Sequence, residues 1–352
     1  MEENCERAIH MHTKKTCALV RHPTAREGQT ALARDLLKSL KIVYAGNIYV
    51  IDTVAYTNIH NKYAFYIQEL AKLLSNLQCS VIHSLNVNKP LTSIAGLIGV
   101  KDIVAYKFSY LPEVHGFWEY KRTLIEHGSK LVIGTSKRIA NLFNNGIFIY
   151  PPIDTDLFKP RNKALARKII GLPLNKVIVG YVGDIDEDRG FDVVVNLATT
   201  LGNENVKFLV SYLHIDNIKR ETINYFKEAL EKNTLIVKKL LPVWYVYNAV
   251  DILLLPIYKT YSTEPPATLI EALGSGTPII GGSSLSMQDY EGLYIRVKNI
   301  DEYGDEVTNM ITDKDFLNVL SLKCRRFAVN NLSYSSVARR LEQVFKHKKI
   351  ID

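Results

Sequence analysis

The sequence predicts an α/β protein of two doubly wound domains, each a parallel sheet with helices on both faces. Three observations predict it. Short β-rich apolar runs alternate with longer amphipathic runs from end to end, the pattern of parallel strands joined by crossover helices. The pattern restarts once, after a proline-marked segment at residues 150 to 160. The chain, at 352 residues, also exceeds a typical domain of roughly 100 to 200, and 47% hydrophobic with 23% charged residues supplies material for two cores.

In the first half CALVRH, IYVID, SVIHSL, DIVAYKF, KLVIGT and IFIY read as strands, and TALARDLLKSL, YAFYIQELAKLLSNL and SKRIANLFNN as helices. Pro151, Pro152 and Pro160 then remove backbone donors and resist helix. A domain of residues 1–155 is therefore expected to give way there to one of residues 156–333. In the second half KVIVGYVGD, VKFLVSY, TLIVKKL, DILLLPI, TPIIGGS and LYIRV read as strands. The chain closes with helical patterns at about 300–311, 314–331 and 334–348, with Val337, Leu341, Val344 and Phe345 forming one apolar stripe in the last. Such a stripe needs a partner, and core packing is expected before membrane insertion.

The formal net charge of +8 favours contact with something anionic: nucleic acid, an acidic membrane surface or a phosphorylated ligand. Eight Lys and Arg fall between residues 323 and 349, a pattern equally met by a solvated basic face on terminal helices. No nucleic-acid reader module and no aromatic stacking platform accompany them, so nucleic acid is not an expected partner. Cysteines at 5, 17, 79 and 324 show no C-x-x-C and no metal-ligand spacing, so no disulfide framework is expected and a reducing cytoplasm fits. The opening residues lack the apolar core of a signal peptide, and no run approaches the roughly 20 apolar residues of a membrane span. Any membrane contact is expected to be peripheral, at the inner face. No H-E-x-x-H and no Ser-His-Asp order is present, and His83 and His115 read as structural or solvent-facing.

Open α/β sheets bind ligands at the carboxyl ends of their strands, so two facing sheets would bind in the cleft between them. In VIVGYVGDIDEDRGFDVVV the strand ends at Gly183, an acidic loop follows, and Arg189-Gly190 opens the next helix. A cation and free backbone N–H groups at a sheet edge make an anion seat; the alternative is routine turn glycines with Arg189 paired to Asp186 or Asp188. In EPPATLIEALGSGTPII, residues 264–280, Pro265 and Pro266 preset a first helical turn. The amides of Ala267, Thr268 and Leu269 then lack intrahelical partners and face any anion in front of them. Glu264 suits the positive end of the helix dipole. Glu271, among Ile270, Ala272 and Leu273, needs donors if it is ionised there, and vicinal ribose hydroxyls supply two; a surface-facing helical Glu is the alternative. GSGTP fits a left-handed helix cap and needs no ligand to explain it.

These residues carry a likeness. LVIGTSKRIANLFNNGIFIYPPIDTDLFKP, VGYVGDIDEDRGFDVVV and DILLLPIYKTYSTEPPATLIEALGSGTPII resemble, in order and distance, the strand-helix-hinge, the glycine-cation loop and the donor-site signature of retaining glycosyltransferases of family 4. The resemblance begins near GQTALARDLLKSL and spans nearly the whole chain. It implies the GT-B fold: two Rossmann-like domains facing across a cleft, with residues 334–352 packing back on the N-terminal one. It implies that Glu271 holds the nucleotide ribose, that Arg189 and the Gly183 loop meet the donor diphosphate, and that Gly28 approaches the donor phosphate and the acceptor. The stretch of Lys239, Leu240 and Leu241 corresponds to the segment holding the base.

Three departures from the family pattern stand out. The first glutamate, Glu264, lies seven residues before Glu271 where the family spaces eight, and Thr263 takes the eighth place. Asp184 stands where the family carries an arginine. Lys107 and Phe108 stand where it tends to carry a histidine, and His115 lies seven residues beyond Phe108. The implied catalytic set is therefore Arg189 and Glu264, with Lys107 and His115 as candidates. The implied reaction transfers a sugar from a UDP- or GDP-type donor to a carbohydrate, lipid-linked or protein acceptor with retention, using no metal or other cofactor. A catalytically impaired nucleotide-sugar binder and a sugar-nucleotide epimerase of the same fold are the alternatives.

Overall fold

The structure is a computed structural model and describes residues 15–20, 28–52, 76, 78–85, 102–108, 118–216, 218–239, 241–258, 264–299 and 301–352. It divides into two compact units. Unit 1 comprises Met1–Pro152, Tyr261–Glu264 and Ser333–Asp352; unit 2 comprises Ile153–Thr260 and Pro265–Leu332.

In unit 1 the elements are β1 (Thr16–Val20), α1 (Gly28–Val43), β2 (Ile48–Asp52), β3 (Val81–Ser84), β4 (Asp102–Lys107), α2 (Trp118–Gly128), β5 (Leu131–Gly134), α3 (Lys137–Ala140) and β6 (Gly146–Phe148). The sheet runs β2-β1-β3-β4-β5-β6 with parallel pairing throughout. Every residue of β1 is buried, as a parallel strand covered on both faces requires. The helix expected from SKRIANLFNN is a single turn, because Ser136 caps it through Ile139 N (3.1 Å) and the chain leaves at Asn141. The helix expected from YAFYIQELAKLLSNL falls almost wholly outside the described residues.

Unit 1 is completed by the end of the chain, α11 (Tyr334–His347), which packs on α1. The apolar stripe finds its partner here: Val337, Leu341, Val344 and Phe345 are all buried. Burial of each such side chain is worth roughly 1.5 to 3 kcal/mol. Polar ties set the register, since Lys38 Nζ donates to Tyr334 Oη (2.8 Å), Tyr334 Oη donates to Asp35 (2.9 Å) and Lys130 Nζ donates to Lys349 O (3.0 Å).

Beneath α11 lies a buried polar-aromatic knot. His83 on β3 is fully buried; its Nε2 meets Tyr44 Oη and its Nδ1 meets Tyr106 Oη, each at 2.8 Å, with the Phe345 ring 5.2 Å away. One ring nitrogen accepts and the other donates, so the neutral imidazole satisfies both phenols. Burial pushes its pKa down from 6.5 to about 3. Between those values only the unfolded chain takes up the proton, so stability falls on acidification by up to ~1.4 kcal/mol per pH unit and is flat above the upper value. Denaturant unfolding from pH 6.5 to 4 is expected to show a shallower slope for His83→Phe than for wild type; equal slopes would contradict this.

The cysteine expectation is corrected. Cys17 in β1 and Cys79 just before β3 form a disulfide, their Cα atoms 5.9 Å apart. Their adjacency comes from the pairing of β1 with β3 across a sequence separation of 62, which short-range spacing does not reveal. Cys324 is free and buried, its thiol facing Leu293 O. No helix among the described residues is long and apolar enough to cross a membrane.

Unit 2 contains α4 (Lys163–Ile170), β7 (Val177–Val182), α5 (Phe191–Thr200), β8 (Val206–Tyr212), α6 (Arg220–Glu231), β9 (Leu235–Lys239), α7 (Val243–Ala249) and β10 (Ile252–Leu255). It continues with α8 (Ala267–Ser275), β11 (Ile279–Gly281), β12 (Ile295–Arg296), α9 (Glu302–Thr312) and α10 (Lys314–Asn331). Its sheet runs β12-β11-β10-β7-β8-β9, again parallel. Residues after Pro152 are fastened to this unit: Ile153 N donates to Leu332 O, and Arg325 Nη1 donates to Thr155 O, Phe158 O and Gly274 O. At the amino edge of the sheet, buried Arg167 pairs with Asp251 at 2.6 Å and donates to Ala249 O.

Candidate functional site

The predicted site residues of unit 2 gather at the carboxyl ends of its strands. β7 ends at Val182, and the loop after Gly183 closes as a 3-10 turn, Glu187–Arg189, capped by the Asp186 carboxylate accepting from Asp188 N. Glu187 is tied elsewhere, accepting from Thr222 Oγ1 and pairing with Lys219. Gly190 has φ +79° and lies so close to Pro256, just past β10, that any Cβ would overlap it. Only glycine fits both demands, and Arg189 is thereby fixed at the sheet edge. Its guanidinium, about half exposed, pairs with Asp184 at 3.3 Å. The partner is thus Asp184 rather than Asp186 or Asp188.

Helix α8 starts at the same edge. Pro266 occupies its N-cap without a side-chain cap, as proline at a helix start leads one to expect. Leu269 N donates to Pro266 O (3.1 Å), so of the three amides expected to be open, those of Ala267 and Thr268 have no partner among the described residues. Thr268 Oγ1 donates to Val182 O at 3.5 Å, which sets the helix start against the end of β7. Glu271, one turn on and half-buried, accepts from Tyr247 Oη at 2.8 Å. Burial, aided by the Glu271 carboxylate, pushes the Tyr247 phenol well above its ordinary pKa, so it stays protonated and orients that carboxylate. Nothing in VWYVYNA singles out Tyr247; its role follows from α7 lying beside α8. Gly276, at φ +68°, caps α8 in the left-handed conformation expected of GSGTP.

Lys239 ends β9, and Leu241 precedes α7 with its side chain against the unit 2 core, so both stand at the carboxyl end of the same sheet. The remaining candidates belong to unit 1. Gly28 opens α1, and Lys107 closes β4 with its side chain buried. Glu264 is 1% exposed. Its carboxylate accepts from Ser136 Oγ (2.7 Å) and pairs with Arg138, while its backbone N donates to Phe108 O (2.8 Å) and its O accepts from Thr135 Oγ1. Both carboxylate oxygens therefore have protein partners, an engagement the sequence did not indicate. His115 and Thr263 lie outside the described residues. Among the described residues no group of three or more His, Cys, Asp or Glu is placed to hold a metal ion.

No protein-family model matches the chain. It is similar in sequence to D-inositol 3-phosphate glycosyltransferase of Corynebacterium aurimucosum, 22% identical over 259 residues that cover 66% of this chain and 60% of that protein. The same enzyme of Mycolicibacterium smegmatis is 22% identical over 209 residues, covering 54% of this chain and 47% of that one. The chain therefore spans half to three-fifths of the length of these relatives. Among solved structures, Anabaena HepE in complex with UDP superposes with a TM-score of 0.73 at 12% identity, covering 95% of this chain and 100% of that one. The fold is GT-B.

Proposed function

We propose that the chain is a retaining glycosyltransferase that uses a nucleoside diphosphate sugar. One observation carries the reading: two first-turn amides of α8 without a partner among the described residues and the Arg189 guanidinium stand at one sheet edge, with Glu271 a turn behind. Amides and a guanidinium suit a diphosphate, and Glu271, oriented by Tyr247, suits the two ribose hydroxyls. Backbone near Lys239 and Leu241 would hold the base. The Arg189–Asp184 pair is half exposed and contributes about 0 to 1 kcal/mol, so a diphosphate displaces Asp184 at little cost.

In the reaction the anomeric C–O bond breaks and its electron pair passes to the departing phosphate oxygen. Arg189 and the α8 amides stabilise that charge as it develops. The acceptor oxygen bonds to the anomeric carbon on the same face, and its proton passes to the leaving phosphate. Of the unit 1 candidates, Gly28 is proposed to approach the donor phosphate and the acceptor, Lys107 to add positive charge at the departing diphosphate, and Thr263 to meet the sugar hydroxyls, with His115 as a further catalytic candidate. The donor is of UDP or GDP type.

Asp184 in place of the family's arginine favours one second reading, a nucleotide-sugar binder with impaired chemistry. Nucleoside diphosphate release from a panel of UDP- and GDP-sugars separates the two: turnover supports the transferase, and stabilisation without release supports the binder. A product of inverted anomeric configuration would overturn the retaining mechanism.

A further inference from the structure

The opposite, amino-terminal edge of the unit 2 sheet holds a cavity of about 440 Å³. Asp251 and Pro278 lead into β10 and β11 along its wall, Ser275 and Gly276 close α8 over it, and the first half of α10 covers it. The six residues of β7 separate this edge from the carboxyl edge by roughly 20 Å. No step of the proposed transfer uses it.

The lining is cationic and short of partners. Arg161, Lys163 and Lys314 face a single carboxylate, Asp251. That carboxylate is saturated: Lys163 Nζ binds Oδ1 at 2.6 Å, while Arg167 Nη2 and Ile178 N bind Oδ2 at 2.6 and 2.8 Å. Arg161 and Lys314 are left with no carboxylate among the described residues. Arg161 donates from Nη2 to Leu157 O at 3.0 Å and lies over the Tyr245 ring, which leaves the rest of its guanidinium with donors to spare. Ser321 and Asn318 add polar groups to the wall, and Pro160 and Leu317 an apolar one.

We propose that this cavity binds a phosphorylated sugar or polyol of about hexose size, its phosphate at Arg161 and Lys314 and its hydroxyls at Ser321 and Asn318. The volume falls within the roughly 300 to 1,000 Å³ of small-molecule sites and exceeds the needs of a bare phosphate. Arginine and lysine supply charge-assisted hydrogen bonds to the phosphate oxygens. The site is distinct from the donor edge and does not rest on the donor reading.

Calorimetric titration of the full chain with glucose 6-phosphate tests it, with glucose and inorganic phosphate as separate arms. Saturable binding at or below about 1 mM is expected for glucose 6-phosphate, weaker binding for inorganic phosphate, and none for glucose. Lys314→Ala, at an exposed position, is expected to weaken binding roughly tenfold, and Asn318→Trp, which fills the cavity from an exposed position, to abolish it. Arg189→Ala, at the opposite edge and touching no residue of the lining, leaves it unchanged. No binding up to ~10 mM would overturn the proposal, as would binding indifferent to both cavity variants or lost in Arg189→Ala. Equal affinity for inorganic phosphate would overturn the sugar half of it.

Discussion

Arg189→Ala is expected to lower kcat for sugar transfer by about 10² to 10³, the loss that follows removal of one preorganised group facing developing charge. The 3-10 turn and Gly190 fix this side chain at the sheet edge, and its ion pair with Asp184 is half exposed. Substitution therefore disturbs folding little, within roughly 0.5 kcal/mol, and the loss should appear in the chemical step. Arg189→Lys keeps the charge without the planar fork and is expected to recover part of the rate. Steady-state kinetics with a saturating donor makes the comparison; an unchanged kcat in Arg189→Ala would remove this residue from the site.

Arg138→Ala is expected to destabilise unit 1 by about 3 kcal/mol, because removing one partner of a buried ion pair strands the other. Glu264 is 1% exposed, and without Arg138 its carboxylate keeps Ser136 but loses its countercharge. The chain crosses from unit 1 to unit 2 between Glu264 and Pro265, so this pair also fastens the unit 1 end of the segment that starts α8. The double variant Arg138→Met with Glu264→Leu is expected to cost less than either single change, since it removes both charges. Urea unfolding of the four proteins decides: equal and additive losses would show that the pair is not coupled.

What the sequence revealed and what it hid divide along the range of the interactions. The strands of both sheets were legible from short apolar runs, and the stripe of α11 from helical spacing, because these patterns are local. The start of α8 was legible for the same reason: Pro265, Pro266 and the glycines sit within a few residues of what they shape. The Ser136 and Arg138 partners of Glu264 lie 128 and 126 residues away from it, and the Cys17–Cys79 bond spans 62. Only the sheet order brings such residues together. Tyr247 was missed because its partner lies on a neighbouring helix. Asp184 was visible as a departure from the family, but its pairing with Arg189, rather than that of Asp186 or Asp188, depends on the backbone of the 3-10 turn.

The central claim is that the carboxyl edge of the unit 2 sheet holds a nucleoside diphosphate sugar, with Glu271 on the ribose. Thermal unfolding of wild type and Glu271→Ala across a panel of UDP- and GDP-sugars tests it most directly. A ligand at 100 times its Kd stabilises the folded state by about 2.7 kcal/mol, so at least one sugar nucleotide should raise the Tm of wild type by several degrees and that of Glu271→Ala far less. No shift in wild type with any of them, or equal shifts in both proteins, would contradict the account.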